Sequence, residues 1–169
     1  MTFPVTVTSE YTKKNLLEMQ KVLHKRTARL CFILSLIGAA LVVLGAFIAS
    51  SFCIFCGVFW WLFFMISRNH PARKSAKKTI QSNEKNFGTT VKTTLKFYNT
   101  FFTAKNETTG AELRGKYDEV EKIIETENLL IIRLPDKVAL MMDKRMAEQE
   151  TLTELWEFLE TECFNAEFV

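Results

Sequence analysis

Hydrophobic and polar positions follow three different patterns along this chain. Between Leu30 and Ser67, 38 consecutive residues carry no charge, and Arg29 and Arg68 bracket them. As one helix the stretch would be about 57 Å long, nearly twice a ~30 Å hydrocarbon core, so it predicts two helices that reverse direction. The polar pair Ser50-Ser51 follows Ala49 and marks the turn, which places the first helix at residues 30–49 and the second at 52–67. A cleaved leader fits poorly, because the charged segment before Leu30 and the apolar stretch are both too long for one.

After Asn86 the period becomes two. Val91, Thr93, Leu95 and Phe97 alternate with Lys92, Thr94, Lys96 and Tyr98, the signature of a half-buried strand. Turn residues at Asn99-Thr100, 106–110, Glu127-Asn128 and 135–137 divide the rest into short strands at 101–105, 111–114, 117–126, 129–134 and 138–143. The period then returns to that of a helix: Leu152, Leu155, Trp156, Leu159 and Cys163 share one face, and Thr151 with Glu154 reads as a capping box. At the other end, Phe3, Val5 and Val7 alternate as a short strand. Ser9 is placed to cap a helix from Glu10, with Leu16, Met19 and Leu23 on one face.

The expected fold class is membrane α+β: a two-helix transmembrane hairpin plus a small antiparallel β domain with one C-terminal amphipathic helix, an order of elements that is pleckstrin-homology-like by analogy. Four segments follow: residues 1–29, a strand and basic helix; 30–67, the hairpin; 68–86, a basic connector opening at His70-Pro71; and 87–169, the soluble domain.

Charge sharpens this picture. The net charge of +3 hides a segregation in which residues 79–169 carry 11 basic and 17 acidic side chains, a net of −6. Lys21, Lys25, Arg26 and Arg29 precede the first span, and Arg68, Arg73, Lys74, Lys77 and Lys78 follow the second. Lys and Arg beside spans stay in the cytoplasm, so both termini of a multi-pass protein of the cytoplasmic membrane are expected inside. The same nine cations are the expected contacts to the lipid surface. The near-balanced total excludes a nucleic-acid-coating protein. Within the first span, Ser35, Gly38, Val42, Gly45 and Ala49 recur at steps of three or four residues, a small-residue stripe expected to pack on the second span near Gly57. Nothing in the sequence accounts for Trp60 and Trp61 near the middle of that span.

The segments 117–126, 129–134 and 138–145, followed by the Leu- and Trp-rich helix, resemble the YcxB-like protein family. The likeness is most recognisable over residues 90–160 and extends in plan over residues 1–165. It implies a bacterial inner-membrane protein with two spans, a small cytoplasmic domain and no active site to carry over.

Chemistry is sparse. The two histidines, His24 and His70, flank the apolar stretch, so the domain after it contains none for a triad or a metal site. No phosphate loop, cofactor motif or small-molecule site is expected. Cys53 and Cys56 form a C-x-x-C that could cycle as a dithiol at a helix start. Cys31 and Cys163 are single and read as structural thiols. The leading expectation is a non-enzymatic interaction or regulatory module whose partner is a protein or a second copy of itself. A membrane thiol–disulfide protein using Cys53 and Cys56, and a small regulatory subunit of a transporter, are the alternatives.

Overall fold

The computed structural model describes residues 3–88 and 90–169, with Lys137 described by its backbone alone. The chain forms two compact units. Gln20–Thr79 is one, and residues 3–19 together with 80–169 form the other.

The second unit is α+β. Strand β1 (Val5–Glu10) precedes helix α1 (Lys13–Leu23) and pairs antiparallel with β2 (Lys92–Phe97), from Val5↔Phe97 through Glu10↔Lys92. β2 continues to β3 (Phe102–Asn106) and β4 (Glu112–Gly115), completing a four-stranded sheet in the order β1-β2-β3-β4. A second sheet holds β5 (Lys122–Glu125), β6 (Leu129–Arg133), β7 (Ala139–Asp143) and β8 (Glu167–Phe168), in the order β7-β6-β5-β8. The C-terminal helix of the domain lies between β7 and β8 in sequence, at Gln149–Glu162.

One core joins the two sheets and that helix. Val7, Leu95, Phe97 and Phe102 come from the first sheet, Ile123, Ile132 and Met142 from the second, and Leu155, Leu159 and Cys163 from the helical segment. The second sheet is buried on its other face too, where Ile124, Leu129, Ile131 and Met141 alternate with the core positions. This is why 129–134 is apolar throughout instead of alternating with polar residues.

The other unit contains the long apolar helices. α2 runs from Lys25 to Phe47 and α3 from Ser51 to Ser67. Both belong to segments long and apolar enough to cross a membrane. The reversal occurs at Ile48–Ser50. Ala49 takes a left-handed φ of 50°, and Ser50 caps α3 by accepting from the Cys53 N–H. Helix α4 (His70–Phe87) follows after a break of two residues, with Pro71 in its first turn, where a missing N–H costs no hydrogen bond. The segment expected as a polar, basic connector, helical at its start, is helical to Phe87. With α4 counted, the C-terminal helix Gln149–Glu162 is α5.

Several local expectations are corrected. Ser9 is not a cap; it lies inside β1, fully buried, and its hydroxyl oxygen accepts from the Asp143 N–H at 2.8 Å. Thr12 caps instead, accepting from the Asn15 N–H at 3.2 Å, so α1 starts at Lys13. Residues 117–126 are not one strand. Tyr117–Glu119 forms a 3-10 turn because Tyr117 is drawn inward, its hydroxyl reaching the Tyr98 carbonyl at 2.7 Å and that of Phe101 at 3.2 Å. Thr151 is not the cap of α5, whose N-cap is Glu148 in extended conformation.

Candidate functional site

In the hairpin the small-residue stripe is the helix–helix seam. Ser35, Gly38 and Gly45 are the buried residues of α2, and Gly57 is the buried residue of α3. A Cβ on Gly38 would lie 2.7 Å from Trp61 N and 2.9 Å from Gly57 O. One on Gly57 would lie 2.8 Å from Gly38 O, and one on Gly45 would lie 2.8 Å from Ile54 N. Backbones this close leave room for nothing larger than hydrogen. Ala49 belongs to the turn and not to the seam. The absence of a side chain at Gly38 also accounts for Trp60: its indole packs over that glycine and donates from Nε1 to the Leu34 carbonyl at 3.0 Å. Ser35 satisfies its own hydroxyl on the Phe32 carbonyl at 2.6 Å.

Large apolar side chains point the other way. Phe47, Ile48, Phe52, Phe55, Phe59 and Ile66 are all at least 66% exposed. At the end of the hairpin away from its turn stand Lys25, Arg26, Arg29 and Arg68, all exposed, with Arg68 over the Phe32 ring at 5.6 Å. Lys21 is exposed on α1. Arg73, Lys74, Lys77 and Lys78 share an exposed face of α4, opposite the buried Ala72 and Ala76. Cys53 and Cys56 are half-buried free thiols in the first two turns of α3.

In the sheet-rich unit, polar chemistry concentrates where α1 meets the second sheet. Asp143 is buried at the end of β7. It accepts from Asn15 Nδ2 at 3.0 Å and from Arg145 Nε and Nη2 at 2.8 and 2.6 Å, while Arg145 Nη2 also reaches Asn15 Oδ1 at 3.0 Å. The Arg145 hydrogen bonds hold the Asp143 carboxyl below its ordinary value, outweighing burial. A turn further along α1, Glu18 accepts from Thr126 Oγ1 at 2.7 Å and from the Asn128 backbone and side chain at 3.2 and 3.0 Å. Burial raises the Glu18 carboxyl, but these donors and Lys14 lower it further. These hydrogen bonds join α1 to the end of β7 and to the β5–β6 turn, and fasten the helix to the sheet. Cys163 is inert: burial, helped by Glu162, pushes its thiol up to about 12.

A recess of this unit lies between α5 and the ends of β5, β6 and β7. It is a groove of about 770 Å³ with Leu130, Met142, Ala147, Leu152 and Trp156 as its apolar lining. Glu125, Glu127, Glu157 and Glu160 line it alongside Lys144 and Arg145. Lys144 is paired with Glu125 at 2.8 Å, and Trp156 Nε1 donates to Glu160 at 2.8 Å. Strand β8, unmarked by any turn signal or apolar run, pairs parallel with β5, and Phe168 packs edge-on against Trp156 at 5.6 Å. The chain thus covers its own β5 edge. No group of His, Cys, Asp and Glu capable of holding a metal occurs among the described residues.

No family model matches the sequence, and no curated protein does. Among solved structures, the C-terminal domain of an unknown protein from Leishmania infantum is similar at 12% identity and a TM-score of 0.34, over 43% of this chain and 72% of that one. A likeness at this level carries no argument about fold or function.

Proposed function

We propose that this protein is a membrane-anchored, non-enzymatic interaction module of YcxB-like plan. In this reading the hairpin spans the cytoplasmic membrane and the sheet-rich unit is a pleckstrin-like cytoplasmic domain that presents a groove to a protein partner. The observation that carries the reading is the pairing of β1 with β2. One strand precedes the hairpin and the other follows it, yet they match residue for residue from Val5↔Phe97 to Glu10↔Lys92. A domain assembled from both flanks requires both ends of the hairpin on one side of a bilayer. The nine cations at those flanks support the cytoplasm as that side, since Lys and Arg beside spans stay inside. The outward-facing phenylalanines of α3 suit lipid, and the small-residue seam suits packing within lipid. Two sheets followed by one helix give the pleckstrin-like order its support.

Site-directed thiol labelling tests this. Cys163 is too buried to report, so a cysteine at Glu107, in the exposed β3–β4 turn, serves instead. In intact cells it should react with a membrane-permeant maleimide and not with an impermeant one, whereas a cysteine at Phe52 should react with both. Labelling of the Glu107 position by the impermeant reagent would overturn the orientation. Labelling of Cys53 and Cys56 only after reduction would revive the thiol–disulfide alternative.

A further inference from the structure

The groove against α5 has a definite chemical bias. Its cations are committed, Lys144 to Glu125 at 2.8 Å and Arg145 to Asp143 at 2.6 Å, both within the domain. Of its carboxylates, Glu160 is held by the Trp156 indole, while Glu127 and Glu157 are exposed and make no ion pair among the described residues. Charge available to a ligand is therefore negative, above a half-buried apolar surface at Leu152 and Trp156. A volume of about 770 Å³ exceeds a single side chain and lies within the range of ligand-binding clefts, about 300–1,000 Å³. Because β8 already covers the β5 edge, a partner would be recognised here through side chains and not by adding a strand.

We propose that this groove binds a cationic peptide segment of another protein, with one apolar residue seated on Trp156 and Leu152 and flanking Lys or Arg side chains facing Glu127 and Glu157. This rests on the interaction-module reading and names its partner class. In a membrane-bound module the chemistry suits the Lys- and Arg-rich stretches that flank the spans of neighbouring membrane proteins.

The test uses the full chain in zwitterionic lipid nanodiscs, with empty nanodiscs as the blank. The probes are two labelled peptides, each with one central phenylalanine, flanked by lysines in one and by glutamates in the other, read by fluorescence anisotropy. The lysine peptide should bind with a Kd in the micromolar range, about 100-fold or more ahead of the glutamate peptide. Its affinity should fall as salt rises. The double variant Glu127→Lys/Glu157→Lys changes exposed positions, and its near-UV circular dichroism checks that the fold is kept. It should bind the lysine peptide about tenfold or more weakly. Equal binding of the two peptides, no binding of the lysine peptide, or an unchanged affinity in the double variant would overturn the proposal. If the lysine peptide fails to bind and the double variant converts a dimer to a monomer in sedimentation, the groove belongs to a second copy and the proposal fails on its partner. The anchoring reading stands or falls separately on the thiol labelling.

Discussion

The two units of this chain are built on opposite rules. In the hairpin the buried side chains are the smallest ones, Ser35, Gly38, Gly45 and Gly57, and the phenylalanines face outward. In the sheet-rich unit Phe97 and Phe102 are fully buried, and the exposed surface carries the charges. Water drives the second arrangement, because burying a large apolar side chain there stabilises by about 1.5–3 kcal/mol. In hydrocarbon that driving force disappears, and close backbone approach and interhelical hydrogen bonds are left to hold helices together. On the anchoring reading proposed above, one sequence is written for two solvents, and the contrast can be broken from either side. Amide hydrogen exchange resolved by region is the measurement that keeps the two sides apart.

The largest effect is expected from removing β1. Deleting residues 3–10 strips Val5 and Val7 from the core and leaves one edge of β2 unpaired. The loss of more than about 5 kcal/mol is comparable to the whole stability of a small domain. Protection should vanish throughout residues 90–169 and persist in α2 and α3.

Next comes Asp143→Ala, which leaves Asn15 and Arg145 without their shared acceptor and should cost about 3 kcal/mol in thermal or urea unfolding of the sheet-rich unit. A linked pH effect follows. Asp143 and Glu18 are both held below their ordinary values, so the stability they contribute is fully present above the normal carboxylate range and is lost as pH falls through their folded-state values. Asp143→Asn should flatten that acid-side decline; an unchanged slope would show that other groups set it.

Gly57→Leu addresses the opposite unit. Its side chain would collide with Val42 and the Gly38 carbonyl, and the helices would have to separate, at a cost of about 1–3 kcal/mol. Faster exchange confined to α2 and α3 is the expected readout. The smallest effect is expected from Trp60→Phe, which keeps the ring and removes the bond to the Leu34 carbonyl, for a loss of about 0.6 kcal/mol. That loss should be visible only in exchange around the middle of the hairpin.

How much of this was legible in the sequence depended on how local the determining physics is. The hairpin and its turn followed from an uncharged run broken by Ser50-Ser51, and the seam from a small-residue spacing that depends on helical geometry alone. Most strands followed from alternation and turn residues. Three of the misread or missed features are decided by distant partners. Ser9 looks like a cap until Asp143, 134 residues away, claims its hydroxyl. Tyr117 reads as a strand residue until its hydroxyl finds the carbonyls of Tyr98 and Phe101. β8 is two residues long and exists because β5 offers an edge. The groove carries no motif at all, since α5 and the strand ends that line it are brought together by the fold.

The pairing of β1 with β2 also has a consequence in time. Thr8 and Thr94, whose hydroxyls meet at 2.9 Å across that pair, are 86 residues apart in the chain. At a ribosomal rate of about 5–20 residues per second, the first strand to emerge waits roughly 4 to 17 s for its partner to be made. Throughout that interval Val5 and Val7 belong to an unpaired strand, while the apolar hairpin is synthesised. Anything that slows synthesis of the intervening segment prolongs the exposure of a sticky nascent edge. The maturation of the domain is thus clocked by the segment it encloses.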